Sequence, residues 1–401
     1  MTVFRYSGRT KTGEFKKGII EAKNKKVAIE KLRAKGINAR ELEESKSILH
    51  KDLAISRKIK NVDFIIYCRQ FATLVRAGVP IVEATHILSE QTKSKPLKKA
   101  LEEVEEDIRS GVSFSEAAAK HPKVFPTLFV NMMRSGEATG NIDTTLERLA
   151  KTFEKSYNMK KKVQSTLTYP AVLMVLSIVV TLFLMLFIVP TFVEMFDDLG
   201  GEMPALTLFI LKISDFLIAY WWLLITVVIA AIVGLKMAYT GNKHFHYTVN
   251  VLMLRLPIFG PLLQKNVIAR MMRTLSSLFS SAVPILDALT IVEKVVGNPV
   301  VGKVVLEARD SLETGSTLSA PLEKSWIFPP LVTQMTAIGE QTGSLDYMLE
   351  KIADFYEDEV DRAVDTLKSL IEPLMILFLA CVVGTIVIAI MLPMFSMYEN
   401  M

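Results

Sequence analysis

The chain is short of the residues that most often carry chemistry. Among 401 residues it has two cysteines, five histidines and three tryptophans. Two cysteines build no disulfide framework, and Cys68 lies in a charged amphipathic stretch while Cys381 lies inside a long apolar run. His244 and His246 have no cysteine, histidine or acidic partner at a zinc-like spacing, so they read as surface residues. His50, His86 and His121 stand alone, and no Ser-His-Asp or Cys-His set converges. No metal, cofactor or catalytic residue is expected. The first 60 residues lack an apolar core segment, so no cleavable signal peptide is expected. The net charge of +5 comes without aromatic residues interleaved among the lysines, which argues against direct nucleic-acid binding. One stretch, Gly297 to Val304, has phosphate-loop spacing up to its last position. Val304 stands where a magnesium-holding Ser or Thr is needed, Pro299 removes a donor, and the preceding residues read as helix rather than strand. It reads as a helix-start loop.

What is abundant is apolar sequence, at 50% of residues, beside 22% charged residues. Such a mixture requires the two kinds to sit in different stretches. Three runs approach the ~20 apolar residues that a membrane helix needs: 169–193, 216–238, with Trp221 and Trp222 near one end, and 372–398. A fourth patch, Val251 to Leu263, is interrupted by Arg255, Pro257 and Pro261 and reads as interfacial or packed. Lys160, Lys161 and Lys162 precede the first run and Lys236 and Lys243 close the second. The loop 194–215 between them is acidic, with Glu194, Asp197, Asp198, Glu202 and Asp215. Basic flanks face the cytoplasm, which places residues 1–168 and 239–371 inside and the C-terminus outside.

The chain also repeats itself. Arg69 to Phe192 can be laid on Arg273 to Phe395 with one single-residue gap. Pro80 then meets Pro284, Gly111 meets Gly315, and Phe125-Pro126 meets Phe328-Pro329. The turn Gly136-Glu137-Ala138-Thr139-Gly140 meets Gly339-Glu340-Gln341-Thr342-Gly343, Asp143 meets Asp346, and Pro170 and Pro190 meet Pro373 and Pro393. The repeated unit is one helical domain followed by one membrane helix. Leu97, Leu101, Val104 and Ile108 form one helical stripe, matched by Val301, Val305, Ala308 and Leu312. Gly111 and Gly315 are expected to end those helices, with Ser113 and Glu116 capping the next. A later stripe of Leu146, Leu149, Phe153 and Tyr157 is matched by Leu349, Ile352, Tyr356 and Val360. The acidic run Glu102 to Asp107 reads as a solvated face. Residues 1–44 read as a small αβ module, a hairpin from Phe4–Tyr6 and Gly18–Ala22 and then a helix over Asn24 to Lys35, joined by a polar linker, 45–60.

The expected architecture is mainly α: an integral membrane protein with two repeated cytoplasmic helical bundles (61–168 and within 239–371), three transmembrane helices and the N-terminal αβ module. The candidate functional residues are the paired turns. Gly136, Gly140, Gly339 and Gly343 permit tight helix connections, with Thr139 and Thr342 between them. Asp143 and Asp346 suit a helix start. Glu137 and Glu340 are free to brace the turn or to face a partner or cation. Gly78 and Pro80, with Pro284, form a second paired turn in which Ala282 replaces the glycine.

With these strings paired at one offset, almost the whole chain resembles the platform proteins of type IV pilus and type II secretion machines, the PilC/GspF family. The resemblance implies a non-enzymatic, oligomeric inner-membrane platform. It implies partners too: a hexameric assembly ATPase, pilin or pseudopilin subunits, other inner-membrane platform proteins and membrane lipid. A duplicated transporter would bury ionisable residues at mid-membrane, and the middles of the three runs carry none, Lys236 and Glu372 lying at their ends. An enzyme would need a convergent polar site, and none is visible.

Overall fold

The computed structural model describes residues 2–10, 15–22, 25, 28–29, 37–44, 59–192 and 205–399. The chain divides into two compact units, Met1–Lys58 and Ile59–Met401.

In the first unit β1 (Thr2–Thr10) is the middle of a three-stranded antiparallel sheet, between β2 (Phe15–Ala22) and β3 (Ile37–Glu44). Phe4 stands opposite Ile20 in one ladder and Glu44 in the other, with an irregularity between Ser7 and Gly8. The hairpin was legible as two alternating runs, but β3 was not. Its four acidic or basic residues among eight, Arg40, Glu41, Glu43 and Glu44, depress the strand signal, and it is held by pairing with β1. The helix expected over 24–35 lies mostly outside the described residues, although Lys25, Ala28 and Ile29 are helical. The linker 45–60 likewise falls outside them, save for its last two residues.

Every described regular element of the second unit is helical. The first bundle consists of α1 (Asn61–Arg76), α2 (Ile81–Gln91), α3 (Lys95–Arg109), α4 (Phe114–Ala119), α5 (Thr127–Thr139) and the start of α6 (Ile142–Phe183). After α7 (Ala205–Gly241) and α8 (Lys243–Arg255) the same order returns. It runs as α9 (Phe259–Phe279), α10 (Ile285–Val296), α11 (Pro299–Glu313), α12 (Ser319–Lys324), α13 (Pro330–Thr342) and α14 (Leu345–Glu399). The Leu97/Leu101/Val104 and Val301/Val305/Ala308 stripes are buried, as is expected of apolar faces at helical spacing.

The two cores are built of different side chains. In the first bundle Phe64, Tyr67, Phe71, Phe114, Phe125 and Phe129 pack as one aromatic cluster. Phe64 lies edge-on to Phe153 at 5.1 Å, and Phe125 stacks on Phe129 at 5.4 Å. Their counterparts in the second bundle are Ile268, Met271, Leu275, Leu318, Phe328 and Val332, also buried. Helices of both bundles pack on α9. Its residues from Val267 to Leu278 are all buried except Arg270, whereas α1 buries one face only.

No break separates bundle from span. Helix α6 runs on through a π turn at Leu184–Ile188 to Phe192, and α14 covers 55 residues. Both carry windows long and apolar enough to cross a membrane. Pro170 sits inside α6 and withdraws one backbone donor without ending the helix. Residues 205–215, expected in the loop 194–215, are instead the first turns of α7, because Leu206 to Ser214 interrupts an apolar helix with Lys212 alone. Helices α8 and α9 meet at a bend of 111°. That corner is the patch read as interfacial or packed. Leu254 and Leu262 are packed there, while Leu252, Met253, Leu256, Ile258 and Phe259 are exposed.

Where the long helices run together, Met185, Val189, Ile210, Ile386 and Ala389 share a small core. Ser214 donates to the Met185 carbonyl within the π turn at 2.7 Å, and Thr207 to the Ala389 carbonyl at 2.6 Å.

Candidate functional site

The paired turns do the same work in each bundle. Helix α5 closes at Gly140 with φ +76°, and α13 at Gly343 with φ +70°, left-handed conformations that a side chain resists. One turn earlier the chain passes so close to the next helix that a Cβ has little room. A Cβ on Gly136 would lie 2.9 Å from the Thr145 hydroxyl oxygen, and one on Gly339 3.0 Å from the Leu345 Cα. Thr139 and Thr342 donate to the Ser135 and Ile338 carbonyls at 2.9 and 2.8 Å. Asp143 and Asp346 stand in the first turns of α6 and α14, among free backbone N–H groups.

The two glutamates reach back across the bundle. Glu137 accepts from the Ser115 N–H at 3.2 and 3.3 Å, at the start of α4, where Ser113 also accepts from the Glu116 N–H. Glu340 accepts from the Leu318 N–H at 2.7 Å and from the Ser319 N–H and hydroxyl at 3.4 and 3.1 Å. Each carboxylate therefore meets the unpaired donors at the start of a six-residue helix too short to be stable alone. Among the described residues no group of three or more His, Cys, Asp or Glu side chains is placed to hold a metal.

The second pair of turns differs between copies. Gly78 adopts φ +85°, and Ala282 adopts φ +56°, the one positive φ outside glycine among the described residues. Pro80 and Pro284 then fix the entry into α2 and α10. The phosphate-loop look-alike is a helix connection: Gly297 closes α10, and Asn298 caps α11 by accepting from the Val300 and Val301 N–H groups at 2.9 and 3.3 Å. The acidic run on α3 is spent locally, Glu105 on His86 and Arg109, and Asp107 on Lys120.

A charged seam between the bundles was not among the sequence candidates. Arg273 on α9 is only 8% exposed and meets Glu357 at 2.7 Å and also Asp354, both on α14. Into the same cluster the first bundle inserts Lys155, 2.8 Å from Asp354 and 2.8 Å from Glu357. Lys162 pairs with Asp361 at 2.9 Å farther along. Burial alone would lower the Lys155 and Arg273 pKa values, and the carboxylates more than offset it, so both are raised. Burial likewise pushes Asp354 up, and the hydrogen bonds from Lys155 and Arg273 outweigh it and hold Asp354 below its ordinary value. Beside the cluster Thr152 and Ser277 share a buried hydrogen bond of 2.9 Å, and Ser135 and Arg148 donate to the Ser281 and Ser280 carbonyls. Arg273 was visible in the sequence as the match of Arg69; its burial was not.

The chain matches two family descriptions. "Type II secretion system (T2SS), protein F" matches twice, at residues 67–190 and 271–393, and "Type II secretion system protein F, N-terminal domain" matches residues 1–43. Similar curated proteins include the type IV pilus assembly protein PilC of Thermus thermophilus, 40% identical across 99% of this chain and 98% of that one. The PilC of Myxococcus xanthus is 37% identical across 98% and 94%. The type II secretion system protein F of Vibrio cholerae is 31% identical across the full length of both.

Proposed function

The chain belongs to the type II secretion system protein F family, and on that premise we propose that it is the inner-membrane platform of a type IV pilus machine. It is a structural component of a pilus or secretion apparatus and catalyses no reaction of its own. In this reading a cytoplasmic hexameric assembly ATPase drives the two bundles, and the spans pass that motion to pilin subunits in the bilayer. Residues 169–193, 216–238 and 372–398 cross the membrane three times, with both bundles and the αβ module in the cytoplasm and the C-terminus outside. The α8–α9 corner, with five exposed apolar side chains, rests in the lipid headgroup region. The platform self-associates and contacts other inner-membrane platform proteins; it binds no nucleic acid directly.

The observation that carries the pilus reading is full-length similarity at 40% to a protein named for pilus assembly, against 31% for the full-length secretion relative from Vibrio cholerae. The fold supports a mechanical role, since α6 and α14 each join a bundle to an apolar span without a break. The equivalent platform of a type II secretion or DNA-uptake system is the second reading, favoured by the secretion relatives that match over the whole chain. Purification from native membranes in mild detergent is expected to bring down an assembly ATPase and pilins. Pseudopilins in their place select the secretion reading, and a small-molecule carrier complex rejects both.

A further inference from the structure

The contact between the two bundles is not reciprocal. The first bundle contributes Ser135, Arg148, Thr152 and Lys155, from α5 and α6. The second contributes Arg273, Ser277, Ser280 and Ser281 at the end of α9, with Asp354 and Glu357 on α14. A two-fold arrangement would use matching residues on both sides. Here each bundle uses a different face, as successive subunits of a head-to-tail ring do.

Because the bundles are copies, each carries both faces, and each leaves one uncovered. On the first bundle the counterparts of Arg273, Ser277, Ser280 and Ser281 are Arg69, Thr73, Arg76 and Ala77, all exposed. Arg69 pairs with Glu154 as Arg273 pairs with Glu357, yet the Arg69 side chain is 65% exposed and that of Arg273 10%. The same stripe of α1 continues into Ile66 and Val62, which are 49% and 41% exposed. On the second bundle the counterparts of Ser135, Arg148, Thr152 and Lys155 are Ile338, Lys351, Phe355 and Asp358. All four are exposed, and Ile338 and Phe355 are large apolar side chains with Tyr347 beside them.

We propose that these two open faces meet between molecules: the α13–α14 face of one copy docks on the α1 face and the Arg76–Gly78 turn of the next, repeating the contact made within the chain. The match is chemical as well as geometric. Ile338 and Phe355 bring apolar surface toward the stripe that carries Ile66 and Val62. Lys351 takes the place of Arg148, and the Arg76 carbonyl takes the place of the Ser280 carbonyl. Asp358 occupies the place of Lys155 with reversed sign; of the two positions that face Lys155, Asp354 corresponds to Lys151, which also reaches Glu350 of its own chain at 3.9 Å, and Glu357 corresponds to Glu154, whose charge Arg69 offsets. The α1 side chains differ in the same sense: where α9 is buried from Met271 to Leu278, α1 keeps Thr73 and Arg76 in solvent. In this seam α6 and α14 run alongside one another, Lys151 level with Glu350, Lys155 with Asp354 and Lys162 with Asp361.

This rests on the self-association proposed above, and the test separates the two. In a Cys381→Ala background, with Cys68 buried, cysteines are placed at Ala77 and Ile338 and treated in native membranes with a short bis-maleimide. Cysteines at Ser135 and Ser281 serve as the control within one chain. A ladder of multimers from the 77/338 pair, reduced several-fold by Asp358→Lys and restored by adding Lys151→Glu, is the expected result. No ladder from 77/338 while 135/281 cross-links within the chain overturns the interface. Light scattering in detergent then reads the remaining question: an oligomer leaves self-association standing without this interface, and a monomer rejects both.

Discussion

Ala282 holds a methyl group where its counterpart Gly78 has none, and both backbones are left-handed. That conformation costs an ordinary residue about 1–2 kcal/mol. Ala282→Gly is therefore expected to stabilise the protein by about 1 kcal/mol, offset in part by the greater freedom of glycine in the unfolded chain. Thermal unfolding in detergent checks it, and Gly78→Ala is expected to move the midpoint the opposite way. The strained turn is retained where the Ser280 and Ser281 carbonyls receive Arg148 and Ser135, so its geometry sets the seam. Glu340 is a second residue whose role is local. Glu340→Ala leaves the Leu318 and Ser319 N–H groups without their acceptor and is expected to cost about 1–3 kcal/mol. Glu340→Gln, which keeps an acceptor oxygen, is expected to lose less than half of that in the same denaturant titration.

Two helix crossings depend on the absence of a side chain. At Gly136 a Cβ would meet the Oγ1, Cβ and Cγ2 of buried, β-branched Thr145 within 3.3 Å, so no rotation of that side chain clears it; at Gly339 it would meet the Leu345 Cα and the Met348 side chain at 3.0 Å. Gly136→Ala and Gly339→Ala are each expected to cost about 1–3 kcal/mol, as urea unfolding of the two variants side by side would read. Both glycines were legible in the sequence because the turn occurs twice at one offset, and the buried stripes of α3, α6, α11 and α14 were legible from their helical period. The charged seam was not. Laying one copy on the other compares matching positions, and the seam joins positions that do not match, Lys155 to Asp354 and Thr152 to Ser277. Burial of the later turns of α9, from Met271 to Leu278, was hidden for a related reason: Arg273 and the serines look like a solvated face until a second bundle covers them. Strand β3 escaped notice because its charged residues carry no alternation, and only the ladder with β1 defines it.

Across the whole second unit, the seam ties bundle to bundle through titrating groups. Asp354 has a depressed pKa, so its contribution is complete above the ordinary carboxylate value and lost as pH falls through the lowered one. Lys155 has a raised pKa, so its contribution is complete below the ordinary lysine value and lost as pH rises through the raised one. The seam is at full strength across the neutral range. Thermal midpoints are expected to fall on acidification below the ordinary carboxylate range, and Asp354→Asn is expected to flatten that limb. The unbroken helix α14 has a different kind of consequence. Its 55 residues make a rod about 80 Å long, fixed to the bundle at one end and to the other spans near Ile386 and Ala389. Such a rod is an indexed shaft: one residue added or removed turns everything beyond it by about 100° and shifts it by about 1.5 Å. The angular phase between what the bundle grips and what the apolar end presents to its surroundings is thus written into the residue count between them. A seven-residue insertion near Asp365 would nearly preserve that phase while a two-residue insertion would place the opposite side of the span against its neighbours.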